Sequence, residues 1–235
     1  LQVDLRLVSP EEFPHALLHF TGSKEHNTAL RSLAKKKGLK INEYGLFKED
    51  GKIICSSETA IFHRLGLSYI PPELRENQGE IEQALLNQLP QLVELKDLRG
   101  IFHVHTQYSD GAHTLKEMVQ RARELGYEYI GISEHSRSAG YANGLSIDRV
   151  FEQQAEITKL NTQFPDISIL KGIEVDILPD GSLDYPDEVL ETFDFVIASV
   201  HSRFKMPEAE MTERVIKAIS HPTVTMLGHP TGRLL

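Results

Sequence analysis

The 235-residue sequence predicts an α/β fold in two regions, a small α+β region over residues 1–96 and a larger region of parallel strands over residues 97–235. Two observations predict this. In the second region short apolar runs alternate with amphipathic helical stretches, which is typical of parallel βα units. In the first region helical patterns surround Asp50-Gly51, a strong hairpin signal between two apolar runs.

The first region opens with LQVDLRLV, where Val3, Leu5 and Leu7 alternate with polar residues as they do in a half-buried strand. No start methionine precedes this stretch, so we expect the sequence to be part of a longer protein. The further predicted elements are helices at 11–20 and 25–37, two short strands around Asp50-Gly51, and helices from Ser57 to about Leu65 and at 79–89.

The second region contains five apolar runs that predict strands, with helical patterns between them. Such a series closes into a barrel or opens into a doubly wound sheet, and the pattern alone allows both. The predicted strands are GIFHVHT, YIGISEH, SILKGIEVDI, FDFVIASVHS and TVTMLGHP, and the predicted helices lie near 114–125, 147–163, 186–191 and 208–219.

The composition excludes several classes of protein. Cys55 is the only cysteine, which excludes a disulfide framework and a thiolate-rich zinc site. No apolar run is long enough to span a membrane, and the charged start does not resemble a signal peptide, so we expect a soluble cytoplasmic protein. Residues 97–235 carry 13 Lys/Arg against 21 Asp/Glu, which argues against DNA binding through a general positive field. Bound divalent cations would reverse that field locally.

Imidazoles and carboxylates mark the carboxyl end of every predicted strand in the second region. In parallel α/β folds these ends meet at one edge, where catalytic groups gather. His103 and His105 are two apart on a strand, which predicts that both point to the same face. The residues in question are His103, His105, Glu134, His135, Glu174, Asp176, His201 and His229.

This pattern predicts a site for more than one metal ion. Imidazole and carboxylate together suit zinc, manganese or iron, and a carboxylate such as Glu174 can bridge two ions. The alternative is that each residue is an ordinary polar residue at a strand end, and five such ends together favour the metal interpretation. His113 is compatible with either role, and Arg203 and Arg233 could hold a phosphate or lie on the surface. The histidines outside the cluster are His15, His19, His26, His63 and His221.

Five motifs together resemble the PHP (polymerase and histidinol phosphatase) domain, in the form fused to bacterial family X DNA polymerases: FHVHTQYSDG, ISEHS, GIEVDI, SVHS and GHPTGRLL. In the first region VDLR is similar to the last palm strand of these polymerases, HFTGSKEHN to a segment lining the incoming nucleotide, and LKINEYGLF to the thumb. The resemblance implies a palm remnant and thumb-like domain over 1–96. It implies a C-terminally truncated PHP domain, a distorted β/α barrel of parallel strands, over 97–235.

The resemblance also implies roles for individual residues. Asp4 matches the third palm carboxylate, and Phe20 and Gly22 match contacts to the nucleotide sugar. Arg233, which could hold a phosphate, is the second residue predicted to be catalytic. Asn27 and Arg31 match residues that face the nascent base pair. The metal ligands implied are His103, Asp110 and His105, with His135, Glu174, His201 and His229.

The implied function is that of a DNA repair polymerase with two activities. The PHP domain would remove 3′ nucleotides by phosphodiester hydrolysis with Mn²⁺ or Zn²⁺, and the polymerase part would fill gaps with Mg²⁺. DNA and deoxynucleoside triphosphates are the expected partners, with no membrane and no protein partner evident. The family pattern has a further Asp and His beyond Leu235, so we expect little activity from these 235 residues by themselves. Two alternatives remain open, a stand-alone phosphoesterase similar to histidinol phosphatase and a non-catalytic domain stabilised by metal.

Overall fold

A computed structural model describes residues 3, 5–49 and 51–231 of the chain. The chain divides into two compact units, residues 1–92 and 93–235. Unit 1 is helical with a small antiparallel sheet, and unit 2 is built on parallel strands. The predicted α/β class is therefore confirmed.

Unit 1 begins with two helices joined by a short turn at Gly22. Ser23 ends that turn as the N-cap of the second helix, where its Oγ accepts a hydrogen bond from the His26 backbone N–H at 3.0 Å. A three-stranded antiparallel sheet and two shorter helices follow. The elements are α1 (Phe13–Thr21), α2 (Lys24–Lys36), β1 (Lys40–Asn42), β2 (Gly45–Lys48), β3 (Gly51–Ile53), α3 (Glu58–Arg64) and α4 (Glu80–Leu85).

The sheet of unit 1 has one strand more than the sequence predicts. The Asn42 side chain accepts hydrogen bonds from the backbone N–H groups of Tyr44 and Gly45 at 3.0 and 3.1 Å. This asparagine turn reverses the chain, so that β1 pairs with β2 as β2 pairs with β3. The sequence predicts only two strands because Asp50-Gly51 is its one strong turn signal in this stretch. Asp50 itself lies outside the described residues.

The strand predicted for residues 1–8 is wrong for the part that the structure describes. Residues 3 and 5–8 form no strand, and Val3, Leu5 and Leu7 are at least three-quarters exposed. Alternating apolar residues form a half-buried strand only where a neighbouring strand and a core are present. The described residues offer this stretch no such partner.

One continuous apolar core holds unit 1 together. Its largest fully buried apolar side chains, Phe62, Leu30 and Leu46, come from a helix, a second helix and the sheet. Cys55 is buried in this core, and burial raises the pKa of its thiol. The cysteine is therefore a packing residue rather than a reactive one.

Unit 2 is a half-barrel of five parallel strands in the order of the chain. Helices α6 and α8 have the bounds predicted for them, and α5 and α7 each begin and end within one residue of their predictions. The elements are β4 (Gly100–Val104), α5 (Leu115–Glu124), β5 (Tyr129–His135), α6 (Ile147–Gln163), β6 (Ser168–Asp176), α7 (Asp187–Leu190), β7 (Phe195–Ser199), α8 (Glu208–Ile219) and β8 (Met226–Leu227).

The two faces of the parallel sheet differ in composition. Strand residues such as Ile130, Ile173 and Val196 pack in apolar clusters with residues of the helices. On the other face the Phe195 ring lies so close to Gly172 that a β-carbon there would come within 2.1 Å of it. Phe195 also makes an edge contact with Phe102, at 5.0 Å between ring centroids. These rings form an apolar floor, and the polar residues of the second face come after it along the strands.

No helix in the described ranges combines the length and apolar character that crossing a membrane would require.

Candidate metal centre

The predicted cluster assembles at the carboxyl edge of the parallel sheet. His135 ends β5, Glu174 lies near the end of β6, and His201 and His229 each come two residues after β7 and β8. Because the strands run parallel and in register, these positions fall side by side. His103 and His105 complete the group from β4 and the residue that follows it.

A bulge in β4 directs His103 and the following residue His105 toward the cluster. Ile101 pairs with Ile130, but Val104 pairs with Ile132, so three steps on β4 match two on β5. His103 has the left-handed φ of 61° that this extra residue requires. Ile101 and Val104 both pack toward the helices. In a regular strand His103 and His105 would lie on the face of Ile101, toward the helices. The sequence predicts that the two histidines share a face, but the bulge is what directs them to the cluster.

Glu174 is the centre of the cluster, and its side chain is only 1% exposed. Five imidazoles approach its two carboxylate oxygens, three at Oε1 and two at Oε2. At Oε1 the distances are 3.1 Å from His103 Nε2, 3.2 Å from His201 Nε2 and 2.8 Å from His229 Nε2; at Oε2 they are 3.1 Å from His135 Nδ1 and 3.4 Å from His105 Nε2.

Two groups of three residues in this cluster could each hold an ion. One group is His103, Glu174 and His229, the other is His105, His135 and Glu174, and within each group the ligand atoms lie within 4.8 Å of one another. Glu174 belongs to both groups, which is the arrangement that a carboxylate bridging two ions would need.

Buried polar atoms without hydrogen bonds show that these residues fit a cation. Glu174 Oε2, His105 Nδ1 and His135 Nδ1 are buried, and none has a hydrogen-bond partner among the described residues. Unpaired buried polar groups are costly in a folded protein. A divalent cation bound by Glu174 and the imidazole nitrogens would remove part of that cost, and this donor set suits zinc or manganese.

The protonation states of Glu174 and His105 favour metal binding. Burial would raise the pKa of Glu174, but hydrogen bonds from His103 and His201 outweigh it and hold that pKa well below its ordinary value. Burial and the neighbouring His135 lower the pKa of His105 to about 4. An ionised carboxylate and a neutral imidazole are the forms that ligate metals.

Asp110 lies at the rim of the cluster with half of its side chain exposed. Its two oxygens are each 3.7 Å from an imidazole, one from His105 Nδ1 and the other from His135 Nε2. His113 is exposed, and it belongs to neither of the two groups of potential ligands found among the described residues. The structure therefore brings Asp110 close to the predicted ligands and leaves His113 outside.

Asp176 supports His201, a role that the sequence argument did not assign. Its Oδ1 is 3.0 Å from His201 Nδ1, which leaves His201 Nε2 directed at Glu174. Ser136 fixes the carboxylate in turn, with its Oγ 3.2 Å from Asp176 Oδ2. Burial lowers the pKa of His201, but hydrogen bonds to Asp176 and Glu174 outweigh it and raise that pKa to about 9. The signal was present, since Asp176 follows Glu174 by two residues on one strand.

Glu134 anchors the loop that follows His105, and this role too was missed. It is fully buried on the helix side of β5 and accepts hydrogen bonds from the Thr106 backbone N–H and from Gln153 Nε2, at 3.0 and 2.9 Å. The Ser109 hydroxyl also donates to it. Burial raises the pKa of Glu134 despite these bonds. Glu134 therefore fixes Thr106 and Ser109. Because Ser109 directly precedes Asp110, Glu134 also positions Asp110.

The residues predicted to contact a nucleotide lie around the turn between α1 and α2. Asn27 Nδ2 donates to the backbone oxygens of His19 and Gly22, at 2.8 and 3.1 Å. Arg31 Nη2 lies 3.4 Å from His19 Nδ1, and Phe20 is 61% exposed beside the same histidine. Part of the Asn27 side chain therefore stabilises the turn.

Asp4 and Arg233, both predicted to be catalytic, lie outside the described residues. Arg203 is exposed and has a left-handed φ of 57°.

Comparison with known families agrees with this architecture. The sequence model of the PHP domain family matches residues 102–234, more than half of the chain, and the chain therefore belongs to the PHP domain family. The DNA polymerase beta thumb model matches residues 16–76. The chain thus carries a PolX-type thumb followed by a PHP domain.

Individual relatives match different parts of the chain. It is 45% identical to the DNA polymerase/3′-5′ exonuclease PolX of Bacillus subtilis (strain 168) over 235 residues, which cover 99% of this chain and 41% of that protein. A probable phosphatase of Acetivibrio thermocellus is 33% identical over 135 residues, 54% of this chain and 52% of the relative. The human DNA-directed DNA/RNA polymerase mu is 45% identical over 78 residues, 32% of this chain and 16% of the relative. The chain thus spans at most 52% of the length of each relative named here.

Proposed function

We propose that the PHP domain of this protein removes nucleotides from DNA 3′ ends by metal-dependent phosphodiester hydrolysis. The observation that carries the proposal is the buried Glu174 carboxylate, with five imidazole nitrogens within 3.4 Å of its oxygens. A cluster of imidazoles and a carboxylate at the carboxyl edge of a parallel sheet is typical of a site for metal-assisted hydrolysis rather than of a structural core. The PolX relative, which bears the name of a polymerase and 3′-5′ exonuclease, supports DNA as the substrate.

Residues of the PHP domain would bind two cations and hold the ligands in place. His103, His229 and Glu174 would hold one divalent cation, and His105, His135 and Glu174 a second, with Asp110 closing the rim. Mn²⁺ or Zn²⁺ suits these ligands, and such ions polarise a phosphoryl oxygen and stabilise the charge that develops during in-line displacement. Asp176 would hold His201 in the orientation that ligation needs.

We further propose that unit 1 belongs to a gap-filling polymerase that uses Mg²⁺ and deoxynucleoside triphosphates. The thumb match and the position of Phe20, Gly22, Asn27 and Arg31 at one turn support this proposal. Asp4 would contribute one of the catalytic carboxylates, and Arg233 would assist hydrolysis in the PHP domain. Repair of short gaps in DNA would combine the two activities.

Hydrolysis of small phosphate monoesters is a second candidate. It is favoured by the probable phosphatase, whose match covers 54% of this chain. The metal cluster by itself recognises a phosphoryl group and does not distinguish the two substrate classes. The polymerase thumb on the same chain favours the nuclease.

The experiment compares three substrates with the full-length protein: 5′-labelled single-stranded DNA, gapped DNA with deoxynucleotides, and a chromogenic phosphate monoester. With Mn²⁺ we expect the labelled strand to shorten from its 3′ end and chelation to stop the reaction. His103→Ala should slow this reaction by about 100-fold or more while gap filling continues. His221→Ala removes an imidazole that precedes β8 and should leave both activities unchanged.

The results separate the candidates. A protein that hydrolyses only the monoester would support the phosphatase and overturn the nuclease. Equal nuclease activity in His103→Ala and wild type would overturn the assignment of the cluster to hydrolysis.

A further inference from the structure

An exposed tyrosine lies beside the metal cluster. The ring centroid of Tyr141 is 6.2 Å from that of His135 and 6.5 Å from that of His201. The residue is nonetheless 74% exposed. An aromatic face thus borders the cluster from the solvent side.

The loop that carries Tyr141 is anchored on both sides of the ring. Ala139 and Ala142 are 1% and 2% exposed, so the residues around Tyr141 are packed while its own ring projects outward. The backbone N–H of Leu145 donates to the His135 carbonyl at 2.9 Å, which closes the loop on the end of β5. The loop therefore begins at a predicted metal ligand and returns to it.

Further contacts give this loop one conformation. Gly144 passes so close to Ser136 that a β-carbon there would lie 1.9 Å from the Ser136 carbonyl oxygen. Asn143 adopts a left-handed φ of 54°, and its Nδ2 donates to the Tyr108 carbonyl at 3.2 Å. Arg149 Nη1 in turn donates to the Asn143 carbonyl at 3.1 Å. Because the backbone is fixed, the Tyr141 ring loses little conformational freedom when a ligand packs on it.

We propose that Tyr141 is a stacking platform for the terminal nucleobase of a DNA strand whose 3′ phosphodiester lies at the metal cluster. The inference rests on the proposed nuclease function and names its base subsite. In a nucleotide only the sugar separates the phosphate from the base, so a ring beside the phosphate site is within reach of the base. Aromatic rings bind the bases of single strands by stacking, with little preference for sequence.

The charge of unit 2 makes such a contact valuable. Residues 97–235 carry 13 Lys/Arg against 21 Asp/Glu, so a general positive field does not hold the substrate strand. Neutral contacts therefore gain importance for the affinity beyond the metal-bound phosphate. A preformed aromatic ring supplies such a contact at the position where the terminal base would lie.

The test uses full-length protein with Mn²⁺ and two 5′-labelled strands that differ only at the 3′ end. One strand ends in a normal nucleotide, and the other ends in an abasic tetrahydrofuran nucleotide with the same phosphodiester. The variants are Tyr141→Phe, which keeps the ring, and Tyr141→Ala, which removes it. Phe151→Ala, which removes an exposed aromatic ring from α6, is the matched control.

For wild type, Tyr141→Phe and Phe151→Ala we expect a KM about 10-fold lower for the normal end than for the abasic end. Tyr141→Ala should raise the KM for the normal end about 10-fold and leave the KM for the abasic end unchanged. Manganese affinity, measured by calorimetry, should be the same in all four proteins. That pattern separates stacking from a general effect on the loop.

Other outcomes overturn the proposal in distinguishable ways. Equal KM values for Tyr141→Ala and wild type on the normal end exclude a base contact at this ring. An equal loss in Tyr141→Phe and Tyr141→Ala assigns the effect to the hydroxyl group, and an equal loss on both strands assigns it to the loop. A wild-type protein inactive on both strands overturns the proposed function itself, whereas an active wild type that treats both ends alike overturns only the base subsite.

Discussion

The two units of this chain bury polar groups in opposite ways. In unit 1 the fully buried Arg75 donates to Ile70 O at 2.9 Å and to Glu58 Oε1 at 2.7 Å. In unit 2 the buried Oε2 of Glu174 faces nitrogens of His105 and His135 without forming a hydrogen bond. In unit 1 a buried cation is paired with an anion of the same fold. In unit 2 the buried residues form groups that could hold a cation from solution.

Unpaired atoms occur in both units, but only in unit 2 do they converge. His15, His26 and Arg75 in unit 1 each have a buried nitrogen without a hydrogen bond. None of them belongs to a group of three potential metal ligands within the described part of the chain. In unit 2 the unpaired atoms of His105, His135 and Glu174 belong to one such group. A candidate binding site is therefore marked by unpaired buried atoms that lie close to one another, and not by the number of such atoms in a unit.

The largest expected effect is in unit 2, on replacing the shared carboxylate. Glu174→Gln keeps the size of the side chain but removes the charge common to both ligand groups. We expect nuclease activity with Mn²⁺ to fall at least about 10³-fold, since the metals supply several kcal/mol of charge stabilisation in the transition state. At a metal concentration of about 100 times Kd, wild type should gain about 2.7 kcal/mol of stability and the variant almost none. Both are measured on full-length protein, by strand shortening and by thermal unfolding.

A matched carboxylate tests whether that effect is local. Glu188→Gln changes an exposed residue of α7 and should keep both nuclease activity and stabilisation by metal. Full stabilisation by Mn²⁺ in Glu174→Gln would show that the ligands lie elsewhere, and the contrast between the two units would fail.

The corresponding change in unit 1 should affect stability rather than metal binding. Arg75→Ala leaves Glu58 and the Ile70 carbonyl without their buried partner, which we expect to cost about 3 kcal/mol of unfolding free energy. Urea unfolding measures this, and the Kd for Mn²⁺ should stay unchanged. Arg121→Ala breaks an ion pair whose side chains are both 64% exposed and should not measurably change stability. A change in metal affinity in Arg75→Ala would contradict the separation of roles.

The buried carboxylate on the outer face of β5 provides an intermediate case. Glu134→Gln keeps its size but places an amide N–H₂ group against the donors of Thr106 and Gln153. We expect the loop to shift Asp110 and the affinity for Mn²⁺ to fall about 10- to 100-fold, as for other residues that support metal ligands. Calorimetry measures the affinity, and the protein should still fold. Unchanged affinity together with reduced stability would make Glu134 a purely structural residue.

A smaller effect comes from the bulge at His103. A left-handed residue with a β-carbon costs about 1 kcal/mol relative to glycine at the same position. His103→Gly and His103→Ala should therefore lose nuclease activity equally, while the metal-free glycine variant is about 1 kcal/mol more stable. Urea unfolding in the presence of chelator provides the measurement. Equal stability of the two variants would show that the backbone is not strained at this position.

Much of unit 2 followed from the sequence because its signals are local and repeated. Alternating strands and helices, with His or Glu at each strand end, sufficed to predict the edge where the cluster lies. The bulge in β4 did not follow, because a left-handed His103 depends on how Ile101 and Val104 pack against β5 and the helices. The support of His201 by Asp176 depends likewise on the spatial order of strands.

Unit 1 was predicted less well for a related reason. Its helices have clear start signals, such as Ser23, but the alternation of Val3, Leu5 and Leu7 predicts a strand only if a partner strand lies beside it. The extra strand β1 depended on the side chain of Asn42, whose hydrogen bonds to the backbone make the turn. In both units the errors occur where a distant or single contact decides the local conformation.

The smallest expected effect is on the pH dependence of stability in unit 1. His26 is fully buried, with Nδ1 2.5 Å from Glu80 Oε1 and with Nε2 unpaired, so protonation would add a buried N–H without an acceptor. Burial, the largest influence, lowers the pKa of His26 below its ordinary 6.5 even though Glu80 opposes this. The pKa of Glu80 is also lowered, because hydrogen bonds from His26 and nearby backbone N–H groups outweigh its burial.

Both shifts have the same sign for stability. A lowered pKa means that the unfolded chain binds protons more readily than the folded one, so stability is complete above the unfolded pKa and is lost as the pH falls. We therefore expect the contribution of His26 and Glu80 to the unfolding free energy of metal-free protein to stay level above about pH 7. This contribution should decline below the ordinary pKa of His26, 6.5, and decline further below that of Glu80, 4.5. Urea titrations of wild type and His26→Gln measure this, and His26→Gln should flatten the upper part of the decline. An equal decline in His26→Gln and wild type would assign the pH dependence to other groups, such as the imidazoles of unit 2.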